Sequence, residues 1–82
     1  DNKVTIISYT GTASNLTVPK SIGGYTVNII HRDAFYSNKS LVNVTLPNTI
    51  TIIGEEAFSD CDNLTSITIP DSVTSIGDSA FV

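Results

Sequence analysis

The chain has no tryptophan and no methionine, a single cysteine, a single histidine and few charges. Each scarcity excludes something. Cys61 has no second cysteine to pair with, so no internal disulfide staples the fold. One cysteine and one histidine cannot complete a structural zinc site either. Charged residues are 15% of the chain, against roughly a quarter in an ordinary domain. The four basic and eight acidic groups leave a net charge of −4, which argues against nucleic acid and anionic membrane surfaces as partners. No apolar run approaches the roughly 20 residues of a membrane-spanning helix, so membrane insertion is not expected, and no signal-peptide pattern is present. Good helix formers are scarce as well. Ser, Thr, Asn, Ile and Val dominate instead, and that is a strand-forming composition. An 82-residue chain buries only about 60% of its unfolded surface, so without staples its stability must come from regular stacking.

Regularity is present. Ala-Phe occurs at Ala34-Phe35, Ala57-Phe58 and Ala80-Phe81, each 23 residues from the next, with Ile30, Ile53 and Ile76 in the same register. In the last two units Leu41 matches Leu64, Val44 matches Ile67, Leu46 matches Ile69, Pro47 matches Pro70, Ile50 matches Val73 and Gly54 matches Gly77. A fixed offset shared by so many apolar positions is the signature of a stacked repeat, in which each unit buries its apolar face only against its neighbours. An earlier unit is irregular: Ala13, Leu16, Val18 and Pro19 match Leu41, Val44, Leu46 and Pro47 at an offset of 28. The insertion falls in Ser21–Val27, where Gly23-Gly24 marks a turn. Ahead of it, Lys3–Tyr9 is strand-like and is closed by Thr10-Gly11.

The pattern therefore divides the 82-residue chain, one domain, into an N-terminal cap strand (1–12), an irregular first repeat (13–40), a second repeat (41–63) and a truncated third repeat (64–82). Within the second repeat, Leu41–Leu46 reads as a strand with Val44 and Leu46 inward and Asn43 and Thr45 outward. Pro47 ends it, because it cannot donate to a sheet ladder. Ile50–Ile53 is a second extended piece, Gly54 turns the chain, and Glu55–Asp60 is expected to form about one helical turn with acidic residues at its start. Phe58 is placed at the centre of the coil, with Cys61 in a small slot beside it.

Leu64-Thr65-Ser66-Ile67-Thr68-Ile69-Pro70 followed by Ile76-Gly77-Asp78-Ser79-Ala80-Phe81 resembles the BspA-like class of leucine-rich repeats, and the likeness extends from Ala13 to Phe81. The stretch Asn15–Pro19 with Ile22–Val27 resembles the first repeat of such proteins. His31 and Asn38 depart from the pattern, standing where later units carry Gly54, Gly77 and Cys61. The resemblance implies a right-handed leucine-rich repeat solenoid, β-rich, of about three repeats with a parallel sheet and short helical turns. It also implies an extracellular or cell-surface setting, and a role in adhesion to host matrix or cell-surface proteins. It carries no catalytic residues, cofactor or metal.

Outward strand positions form columns, Asn15, Asn43 and Ser66 in one and Thr17, Thr45 and Thr68 in the other; these are the candidate partner-binding face. The plainer reading is that they keep an exposed strand soluble, since the columns contain no Tyr, Trp or Arg of the kind that anchors interfaces. The aromatic candidates outside them are Tyr25 and Tyr36. His31, Arg32 and Asp33 suggest acid–base chemistry only by adjacency, and no nucleophile with a placed base accompanies them, so an enzyme is not expected. Asp60 and Asp62 with Glu55 and Glu56 are too few, and too unlike their counterparts in other coils, for the six to eight oxygens calcium needs. The sequons at Asn15, Asn38, Asn43 and Asn63 would be glycan acceptors in a secreted eukaryotic chain, but an Asn-, Ser- and Thr-rich repeat also yields them by composition alone. Leu64, Ile67, Ile69, Ile76 and Phe81 are expected to face an open end, which points to a fragment or to a stack completed by another copy. Charge adds to that expectation of self-association: residues 1–40 carry Lys3, Lys20, Arg32 and Lys39 against Asp1 and Asp33, whereas residues 41–82 carry only acidic groups. Two other functions fit the same pattern, a passive spacer and an accessory domain of a larger surface enzyme.

Overall fold

Alternation of Val or Ile with Thr, Asn or Ser, broken every few residues by Pro or Gly, gives short strands rather than long ones. The computed structural model describes residues 3–82 and contains eight: β1 (Lys3–Ile6), β2 (Asn15–Thr17), β3 (Ser21–Ile22), β4 (Tyr25–Ile30), β5 (Asn43–Thr45), β6 (Ile52–Ile53), β7 (Ser66–Thr68) and β8 (Ser75–Ile76). The first two residues of the expected cap lie outside the described residues. Two sheets result. One has the order β2-β5-β7; the other has the order β1-β4-β6-β8, with β3 added on β4. All neighbours pair in parallel except β3 with β4. Parallel pairing between strands a full repeat apart is what a coil produces, and the registers Asn43↔Ser66, Thr45↔Thr68 and Ile53↔Ile76 hold the offset of 23 read from the sequence.

The residues inserted in the first repeat form a hairpin. Ser21–Ile22 pairs antiparallel with Tyr25–Thr26 around Gly23 and Gly24, both at positive φ (57° and 84°). Positive φ at both central residues of a two-residue loop matches the right-handed twist of the strands it joins, and glycine adopts it without steric cost. β6 reaches only Ile29 and Ile30, so β3 occupies the stretch of the β4 edge that β6 leaves open.

Between the sheets lies the core. Val27, Ile30, Leu41, Val44, Leu46, Ile50, Ile53, Ala57 and Phe58 are buried, one tier per coil. Phe58 stacks between Phe35 (centroids 4.7 Å apart) and Phe81 (5.4 Å), and Tyr9 extends the column over Phe35 at 5.3 Å. Aromatic pairs of this kind contribute about 0.5–1.5 kcal/mol each beyond the area they bury. The third tier is more open. Leu64 and Ile67 are half-buried against the core, while Ile69, Ile76 and Phe81 are 39%, 48% and 40% exposed.

The structure departs from the sequence reading at the segment after each glycine. Glu55–Asp60 is not a helical turn but a series of overlapping β-turns. Ala57 N–H donates to Gly54 O and Ser59 N–H to Glu56 O, with Glu56 and Asp60 at φ 57° and 62°. The first coil repeats this, with Asp33 and Ser37 at φ 62° and 60°. The reason lies in the neighbouring coil. Left-handed residues turn alternate N–H groups along the stack: Asp33, Phe35 and Ser37 donate to the carbonyls of Glu55, Ala57 and Ser59, and Glu56, Phe58 and Asp60 donate to those of Asp78, Ala80 and Val82. A helix would keep those donors within its own turn, leaving the corner of each coil unbonded to the next. With no helix there is no dipole for Glu55 and Glu56 to cap.

Candidate binding face

Each strand of the three-stranded sheet sends its middle residue inward, Leu16, Val44 and Ile67, and its two flanking residues outward. Parallel register then places like on like. Asn15, Asn43 and Ser66 form one column and Thr17, Thr45 and Thr68 the other, all six exposed and spaced by the roughly 4.8 Å between strands. Asn43 Nδ2 donates to Asn15 Oδ1 at 2.6 Å, which ties the first column together. The result is a continuous two-column surface of short hydroxyl and amide side chains, uncharged and able both to donate and to accept hydrogen bonds.

The other residues singled out from the sequence do not converge on a site. His31 is exposed and its Nδ1 lies 3.3 Å from Arg32 O. Arg32 reaches Asp33 at 3.8 Å and Glu55 at 3.4 Å in solvent-exposed ion pairs. His31 N–H donates to Ile6 O at 2.9 Å, the same bond that Gly54 N–H makes to Ile30 O at 2.8 Å, so the backbone stacks alike at both positions, and at Gly54 a Cβ would meet Arg32 N at 2.4 Å.

Asp60 and Asp62 face Lys39. Its Nζ donates to Asp60 O (2.7 Å) and to the Asp62 carboxylate (2.9 Å), with the Asp60 carboxylate at 3.4 Å. The hydrogen bond to Asp62 raises the Lys39 pKa, and the same contact holds the Asp62 carboxyl below its usual range. Sequence reading missed this cluster, although Lys39 stands 23 residues before Asp62 and the repeat register puts them in adjacent coils. Among the described residues no three His, Cys, Asp or Glu side chains gather at metal-binding distance, and no helix is long and apolar enough to cross a membrane.

Cys61 is half-buried, its Sγ donating to Phe35 O at 3.0 Å, and burial pushes its pKa up. Asn38, in the equivalent slot, sends Nδ2 to Gly11 O at 3.2 Å. The two residues therefore do the same work, presenting one donor to a carbonyl of the preceding segment. Asn63 likewise donates to Lys39 O, while Asn43 donates to the Asn15 side-chain oxygen, so all four sequon asparagines take part in bonds between successive segments. Tyr25 and Tyr36 are about half exposed.

Parallel sheets closed by turns around one tier of Leu, Ile and Phe per coil define a leucine-rich repeat solenoid. Residues 6–82 match the family model described as BspA type leucine rich repeat region (6 copies), and the chain belongs to that family. No curated protein matches it. Among solved structures it is similar to the T. pallidum leucine rich repeat protein, with a TM-score of 0.89 and 35% identity over 92% of this chain and 35% of that one. It is also similar to a leucine rich cell surface protein of Faecalibacterium prausnitzii A2-165, with a TM-score of 0.86 and 37% identity over 99% of this chain and 24% of that one. A leucine-rich repeat protein of Bacteroides capillosus shares the fold, at a TM-score of 0.86 and 24% identity over 94% of this chain and 61% of that one. The chain thus spans less than two thirds of each of these structures.

Proposed function

We propose that this solenoid is a non-catalytic, extracellular recognition module of a surface protein, binding a host matrix or cell-surface protein through the columns of Asn15, Asn43, Ser66, Thr17, Thr45 and Thr68. The observation that carries this reading is the in-register pairing of those six exposed residues into one uncharged surface on a sheet whose apolar side chains all turn inward. Solenoids use such extended faces because successive repeats offer a partner the same contact many times. The cell-surface description of the similar Faecalibacterium prausnitzii protein supports the setting.

Surface plasmon resonance against immobilised fibronectin, fibrinogen, collagen and laminin tests it. Saturable binding to at least one is expected. Absence of saturable binding to all four contradicts adhesion to matrix proteins and leaves the solenoid as a spacer that projects other parts of a surface protein.

A further inference from the structure

An open groove of about 310 Å³, sharing no lining residue with the Thr and Asn columns, lies where the segment after β1 passes the corner of the first coil. Tyr9–Thr12 forms one wall and Tyr36–Ser40 the other. Both walls are held in place. Tyr9 is stacked on Phe35 and its phenol lies across Gly11, so close that a Cβ there would meet Tyr9 Oη at 2.3 Å. Asn38 bridges the walls, donating to Gly11 O while its Oδ1 accepts from the backbone N–H groups of Ser40 (3.0 Å) and Leu41 (3.3 Å). Tyr36 contributes a ring that is 52% exposed at a position where the next coils carry Ser59 and Val82.

The lining chemistry selects a ligand. No aliphatic or acidic side chain is among the described lining residues, which disfavours a lipid, an apolar cofactor or a cation. Lys39 stands in the lining, but its ammonium group is held by Asp60 and Asp62, so the groove offers no strong attraction to a phosphate or a carboxylate. What remains is two phenol rings among short hydroxyl side chains. That combination suits a molecule with an apolar C–H face and a rim of hydroxyls, because the ring takes the face while the hydroxyls exchange hydrogen bonds with Ser, Thr and Tyr. The volume falls at the small end of the roughly 300–1,000 Å³ of ligand pockets, room for one or two sugar rings.

We propose that the cleft between Tyr9–Thr12 and Tyr36–Ser40 binds a neutral saccharide, with Tyr36 and Tyr9 as the stacking surfaces. A ligand of about a dozen heavy atoms in a pre-formed site binds in the millimolar range. The site is distinct from the sheet face, and its test does not depend on that reading.

The test is titration of the ¹⁵N-labelled chain with the methyl glycosides of galactose, mannose and N-acetylglucosamine, followed by amide chemical shifts. At least one sugar is expected to shift the amides of residues 10–12 and 36–40 saturably, with sodium glucuronate producing a weaker effect. Tyr36→Ser installs the residue the second coil carries at this position, so the fold is retained, as its unperturbed amide spectrum elsewhere will report; binding then weakens about three- to tenfold. Tyr25→Ser, on the hairpin, leaves binding unchanged. Absence of localised shifts with all three glycosides, or equal shifts in Tyr36→Ser, overturns the proposal.

Discussion

A methyl group placed on Gly54 would lie 2.4 Å from the amide nitrogen of Arg32 in the preceding coil, and one on Gly77 equally close to Glu55 N. Neither glycine has positive φ, so both are required by the closeness of the stack and not by the turn itself. Gly54→Ala should therefore destabilise the chain by about 1–3 kcal/mol through overpacking, as read from urea denaturation. A cost below about 0.5 kcal/mol would mean that the coils stack more loosely than described. Cys61 makes a second prediction at this scale. Its thiol is held protonated by burial, so it contributes stability below the ordinary thiol range that is lost as pH rises through its raised folded value. Near pH 8 it should react with iodoacetamide more slowly than the same residue in urea-unfolded chain. Equal rates would place it outside the slot beneath Phe35.

At the scale of the element, the corner after each glycine separates two accounts of the same sequence. If Glu55–Asp60 were helical, Glu56→Gly would cost about 1 kcal/mol through lost helix propensity. Because Glu56 sits at φ 57°, where a side chain is strained and glycine is not, the substitution should instead be neutral or stabilising by up to about 1 kcal/mol. Ala57→Gly, at the next position, should destabilise. Thermal denaturation of the two variants decides between the accounts, and destabilisation of both by similar amounts would restore the helical corner. The strands, their columns and the turn at Gly23-Gly24 were legible in the sequence because period-two alternation and paired glycines act locally, whereas the hairpin pairing of β3 with β4 was not read from it. The corners were not legible, because Asp33 and Glu56 are held left-handed by hydrogen bonds to the next coil, and Ser79 takes the same φ between Asp78 and Ala80, whose carbonyls accept from Glu56 and Phe58; their residue types alone do not demand it. The six positions of the candidate face could be named because an offset of 28 aligns Asn15 and Thr17 with Asn43 and Thr45, and one of 23 aligns those with Ser66 and Thr68. The Tyr9–Tyr36 cleft could not, since Tyr9 lies in the cap, which has no counterpart in the repeats, and only folding brings the two tyrosines to one groove.

For the whole molecule, the surface of the third coil matters most. Ile69, Ile76 and Phe81 are exposed where Leu46, Ile53 and Phe58 are buried, and a hollow of about 230 Å³ opens between Phe58, Leu64 and Phe81. We predict that the 82-residue chain associates with itself at high concentration through this surface. Sedimentation velocity should show a mass that grows with concentration and falls back to the monomer in Ile69→Lys with Ile76→Lys; a monomer throughout would contradict it. Salt should change this little. The charge difference along the chain is partly cancelled within it, Arg32 by Glu55 and Lys39 by Asp60 and Asp62.

The recognition face also belongs to the whole molecule, because no single coil supplies both columns at more than one point. The measurement that bears on it most directly is equilibrium binding of three proteins to the matrix protein that the unmodified chain captures: that chain, Thr45→Arg with Thr68→Arg, and Ser75→Arg on the opposite sheet. Two arginines in the central and last strands of the face should weaken binding at least about tenfold, with Ser75→Arg unchanged. Equal binding by all three would remove the Thr and Asn columns from the interface.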